Sequence, residues 1–133
     1  MYKDISHTAD LAYEIIFQNG KELLRDVISI IASHTEVLEG QRLKVRVKKL
    51  QKPQRKCYNS LRNVDNVNED FIFDMVNEII TIIDMGYFPT KVEEFCVELE
   101  PRNIVCKIKA LTYHMLRITK EGNHFRLRMV FDV

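Results

Sequence analysis

Four stretches of this chain combine residue types that could do chemistry. In SHTADLAYEIIF, residues 6–17, His7 and Asp10 stand three positions apart, directly before an apolar–polar alternation. An imidazole and a carboxylate at the mouth of a strand could move a proton or bind a divalent ion. The plainer reading makes Asp10 a turn residue bonded to its own backbone and His7 a surface side chain. At the other end, Asp132 is followed by Val133 and its α-carboxylate. Two carboxylates one residue apart begin an all-oxygen cluster that suits a hard cation such as Ca²⁺ or Mg²⁺; a solvated, frayed end is the alternative.

The third stretch is KALTYHML, residues 109–116, where Lys109, Thr112, Tyr113 and His114 crowd together. Lys109 and His114 have opposite parity on a regular strand, so they share a face only if the strand bulges between them. A lysine here could take a phosphate or guide an RNA backbone; it could equally be a lysine on a solvated strand face. The fourth, residues 42–56, holds eight Lys/Arg and no acid. Such a run could meet RNA phosphates or an acidic protein surface. It lacks the interleaved aromatics of a base-stacking platform, and an edge strand guarded by lysines explains it as well. No nucleophile elbow, P-loop, HExxH or paired-carboxylate acid/base spacing stands out.

These residues must be held by elements that the hydrophobic pattern predicts. Leu11, Tyr13, Ile15 and Phe17 alternate at strand period. Asn19 with Glu22 has the character of a capping box, and the helix after it carries Leu23, Leu24, Val27, Ile28 and Ile31. Residues 42–50 read as a second strand. Residues 51–68 are polar, with Pro53 and four asparagines, and read as an exposed loop or insertion. Residues 69–85 form the strongest predicted helix, with acids in its first turn, Ile72, Met75, Val76, Ile79 and Ile83 on one stripe, and Gly86 after it. A connection over 86–90 leads to a strand over 92–100 and a tight turn at 101–103. Residues 104–120 alternate for too long to be one strand, which predicts a bend near 111–113. Glu121-Gly122-Asn123 predicts a hairpin into a last strand with Phe125, Leu127, Met129 and Phe131 inward.

The sum is one α+β domain over residues 1–133: two layers, a mixed and mostly antiparallel sheet with two amphipathic helices on one face. The chain has 133 residues, 46% hydrophobic and 29% charged, and a net charge of +1, so any affinity for an anion must come from a local patch. No leader and no long apolar run marks secretion or membrane insertion. Cys57, Cys96 and Cys106 are odd in number and lack CxxC spacing. They read as partly buried thiols in a reducing, cytoplasmic setting, against a zinc site or a disulfide framework.

Taken in order, SHTADLAYE, the helix DFIFDMVNEIITIID, KALTYH and a chain that stops at VFDV resemble the archease family. The resemblance covers most of the chain. It implies a protein that is not itself an enzyme but activates the GTP-dependent RNA ligase of tRNA splicing, promoting ligase guanylylation and turnover, with RNA contacted within the complex. By motif, the family's metal site falls on Asp10, Asp132 and the Val133 carboxylate, and its activating lysine on Lys109; His7 and His114 are candidates for contact with the partner. Three converging negative charges would repel without a cation. Two departures stand out. The loop that the family places before KAxTYH is nearly absent here, and the segment before the second helix is long and basic. Two rival readings are a metal-dependent phosphoesterase on RNA ends, with His7 or His114 as acid/base, and an RNA- or protein-binding chaperone module working through 42–56.

Overall fold

The structure, a computed structural model, describes residues 1–6, 11–38 and 51–133. The strand expected over 42–50, most of the basic run, and both His7 and Asp10 lie outside the described residues.

Strands β1 (Tyr2–Asp4) and β2 (Leu11–Phe17) lead into helix α1 (Gly20–Ser33). Asn19 caps α1 by accepting the Glu22 N–H at 3.0 Å, and Glu22 reaches back to accept the Gln18 N–H at 2.9 Å. After β3 (Thr35–Val37) and β4 (Gln54–Cys57) comes helix α2 (Glu69–Asp84), capped by Asn68 on the Phe71 N–H. Then follow β5 (Tyr87–Glu93), β6 (Cys96–Pro101), β7 (Ile104–Cys106), β8 (Ala110–Leu111), β9 (Arg117–Glu121) and β10 (His124–Asp132).

The α+β class is as expected, with the strands distributed over three sheets. β10 is the hub of a five-stranded sheet: β2 flanks it on one side, β9 and β8 pair with it on the other, and β1 extends β2. β3 and β7 form a two-stranded ladder, and β4-β6-β5 a three-stranded sheet. Every described ladder is antiparallel.

The two helices bury the same pattern of positions. Gly20, Leu23, Leu24, Val27, Ile28, Ile30 and Ile31 in α1 match Ile72, Met75, Val76, Ile79, Ile80, Ile82 and Ile83 in α2. At about 100° per residue that arc spans roughly 160°, too wide for one narrow seam. Accordingly both helices touch the five-stranded sheet, α1 at β2 and α2 at β8, and both also touch β5 of the three-stranded sheet.

Three expectations are corrected. Residues 51–68 are no exposed loop: they contain β4 and two 3₁₀ turns, with Leu61 fully buried and Val67 nearly so. Leu61 packs so tightly on the start of α1 that a Cβ on Gly20 would lie 2.1 Å from its carbonyl oxygen. Tyr58 donates to Glu78 of α2 at 2.8 Å, and burial with that bond holds its phenol far above its usual pKa. Second, residues 87–90 belong to β5 instead of a connection, and the single strand expected over 92–100 is broken by a turn at Glu94-Phe95 into β5 and β6. Pro89 is tolerated because β5 is an edge strand, with a bulge between Pro89 and Lys91. Third, Cys57 and Cys96 are directly opposed on β4 and β6 and form a disulfide; Cys106 is a free thiol. Spacing along the chain could not reveal a pairing made by strand register, and the cysteine argument for a reducing setting drops away.

Candidate functional site at the end of the central strand

β10 alternates so that Phe125, Leu127, Met129 and Phe131 enter the core while Asp132 emerges, exposed, at the strand's end, with Val133 exposed after it. The register places Leu11 opposite Phe131 on one flank. On the other flank Leu111 faces Phe131 and Ala110 faces Asp132. The Lys109 N–H donates to the Asp132 carbonyl at 2.8 Å. KALTYH and the end of β10 therefore meet at one end of the sheet, with the Lys109 side chain exposed beside them.

The run 104–120 breaks twice, at 107–109 and at 112–116, where a single bend near 111–113 was expected. Between the breaks the segment is clamped from both sides. Thr112 gives its N–H and its hydroxyl to the Val130 carbonyl, each at 3.0 Å. From the helix side, Asn77 acts like a missing strand neighbour. Its Nδ2 donates to the Leu111 carbonyl at 3.1 Å, and its Oδ1 accepts the Leu111 N–H at 2.7 Å. Tyr113 stacks on Phe73 with ring centroids 3.9 Å apart and donates to Asp70 at 2.9 Å. The hydrogen bond to the Asp70 carboxylate raises the Tyr113 pKa, so the phenol stays a donor. The turn that follows is closed by the Leu116 N–H on the Tyr113 carbonyl and passes through Met115 at φ 57°, a left-handed conformation.

Of the residues singled out in the sequence, the structure brings Lys109, Asp132 and Val133 together. His114 is exposed at the tip of the 113–115 turn, with no hydrogen bond or ion pair among the described residues. Asp132 likewise has no ion pair among them. Among the described residues no group of three or more His, Cys, Asp or Glu gathers as a metal set. Sequence reasoning passed over Asn77, reading α2 as core packing alone. The available signal was an amide on the flank of a buried arc, since a half-buried amide needs partners.

No helix among the described residues is long and apolar enough to cross a membrane. A family model for the archease protein family matches residues 2–133. The curated protein archease of Thermotoga maritima is 34% identical over 138 residues, covering 99% of each chain. A crystal structure from the same organism, described as an archease and possible chaperone, aligns with a TM-score of 0.63 at 31% identity, over 100% of this chain and 98% of that one. A solution structure of a Methanobacterium thermoautotrophicum protein aligns at 0.54 with 14% identity over 99% and 98%, a likeness of fold alone.

Proposed function

Because the chain belongs to the archease family, we propose that it is a protein cofactor of a GTP-dependent RNA ligase in tRNA splicing, promoting ligase guanylylation and turnover without being an enzyme itself. The observation that carries the reading is the double clamp on 109–113. It holds Lys109 beside the exposed Asp132 and Val133 on a segment fixed by β10 and α2. A rigid presentation of a lysine and carboxylates suits insertion into a partner's site more than turnover of a small substrate.

Asp132, the Val133 carboxylate and Asp10 would hold a divalent ion, Ca²⁺ or Mg²⁺. The donor set is all oxygen, and Asp132 is free of any ion pair among the described residues. Asp10 immediately precedes Leu11, which faces Phe131. When bound, the ion would neutralise the three carboxylates and tie the two chain ends together. Lys109 would meet a phosphate or carboxylate of the ligase or its nucleotide, and His7 and His114 would contact the partner.

The test is the guanylylation rate of the same organism's ligase with GTP, alone and with this protein. We expect acceleration by the parent chain and none by Asp132→Ala, nor by a chain extended by one residue beyond Val133. Calorimetric titration with Ca²⁺ should lose its binding heat in the same two variants. A parent that does not accelerate the ligase overturns the activator reading. A variant that accelerates as well as the parent overturns the metal-site reading.

A further inference from the structure

The outer face of the five-stranded sheet, away from the helices, carries a charge arrangement that the activator reading does not use. Arg126 and Arg128 of β10 project from this face two residues apart, about 6.8 Å along a strand. Across the ladder Arg128 faces Arg117 directly, and Arg126 faces Thr119. On the other side Lys3 and Arg128 both register with Glu14. Glu14 is buried and bonded to Arg126, with Lys3 at 3.4 Å and Arg128 at 3.6 Å. Burial alone would raise its pKa, but Arg126 and Lys3 outweigh burial and hold it below the ordinary carboxylate value. Arg126 also bonds Glu121 at 3.0 Å. Three cations, Lys3, Arg126 and Arg128, thus share two carboxylates, and a fourth, Arg117, has no ion pair among the described residues.

Like charges directly opposite on a ladder are destabilising. Arg117 facing Arg128 carries that cost with no described ion pair on Arg117 to offset it. The two arginines line a groove of about 430 Å³ with Met115, Leu116, Thr119 and Arg126. Met115 is exposed and held at the rim by its left-handed backbone.

We infer that this groove binds the backbone of a single-stranded polynucleotide, its phosphates on Arg117, Arg126 and Arg128 and a base against Met115 and Leu116. Planar guanidinium forks match phosphate oxygens, and their spacing along β10 is of the order of that between successive phosphates. A row of cations beside an apolar wall fits a ligand in which a charged phosphate alternates with a flat base. A duplex keeps its bases stacked inside and offers nothing to the wall. An acidic peptide would use the arginines and leave the wall empty.

The isolated protein suffices for the test, so its outcome is independent of ligase activation. Fluorescence anisotropy would follow labelled ten-nucleotide oligouridine and oligothymidine at low salt, with a duplex of equal length and poly-glutamate as competitors. Both single strands should bind. Arg117→Gln with Arg128→Gln should weaken binding roughly tenfold and reduce the log–log salt slope by about 0.7 per arginine removed. Relief of the Arg117–Arg128 opposition offsets the loss of Arg128 from Glu14, so thermal melting should hardly move. Lys21→Gln, at an exposed lysine on α1, should leave the affinity unchanged. The inference is overturned if neither single strand binds, if the double variant binds like the parent, if Lys21→Gln weakens binding as much, or if duplex or poly-glutamate competes better than single strand.

Discussion

At the scale of single residues, the most consequential side chain is an amide on α2. Asn77 satisfies both the N–H and the carbonyl of Leu111, at the point where β8 is only two residues long and cannot supply its own ladder. The geometry requires a donor and an acceptor on one planar group, which among natural side chains of this size means an amide. Asn77→Asp keeps the acceptor for the Leu111 N–H but sets an oxygen against the Leu111 carbonyl, trading a bond for a repulsion. We expect it to lower stability by about 2–3 kcal/mol, from the lost bond plus an unsatisfied buried carbonyl, seen as a shift of the urea midpoint with unchanged slope. If the proposed function holds, it should also lower ligase activation at temperatures where the rest of the fold persists, since the segment that carries Lys109 is held through this clamp. A variant of full stability would show that the clamp is redundant with the Thr112 bonds to Val130.

At the scale of elements, Gly20 decides how the polar segment before α2 is accommodated. A glycine at the first turn of a helix would ordinarily gain from replacement by alanine. Here the Cβ would collide with Leu61, whose backbone leaves no room. Gly20→Ala should therefore destabilise by about 1–3 kcal/mol, the usual cost of overpacking, and hydrogen exchange should quicken first around residues 59–66. Unchanged or slower exchange there would mean that Leu61 does not depend on α1. The β5–β6 hairpin is a second lesson at this scale. Its two-residue loop is Glu94-Phe95, with Glu94 at φ 53°. That conformation belongs to Gly or Asn by preference, so the turn carries no local signal and the hairpin was legible only after folding. Gly122, at φ 66° in the first of two loop positions between β9 and β10, is the opposite case, and the sequence alone predicts that turn.

At the scale of the whole molecule, the Cys57–Cys96 bond closes a 39-residue separation and joins the segment after the basic run to the β5–β6 hairpin. A closure of that size is worth about 2–4 kcal/mol, mainly through the unfolded chain. Reductant should lower the melting temperature of the parent protein and leave Cys57→Ser with Cys96→Ser unaffected. Thiol titration of the denatured, unreduced protein should find one reactive cysteine, Cys106; three would show that the bond does not form in solution. The bond also helps to hold residues 51–68, which fold onto α1 through Leu61 and onto α2 through Tyr58.

The sequence by itself determined what depends on short-range pattern. Both helices follow from apolar spacing and the cap of the first from Asn19, and β2, β10 and the Gly122 turn follow from alternation and a glycine. The ordered motifs at the two ends and before the last hairpin placed the chain in its family. Tertiary structure alone decided what depends on residues far apart in the chain. The pairing of Cys57 with Cys96, the Asn77 clamp on Leu111 and the burial of Leu61 against Gly20 each join segments whose separation exceeds any local window. Their registers are set only when the wide apolar arcs of the two helices choose which strands to cover.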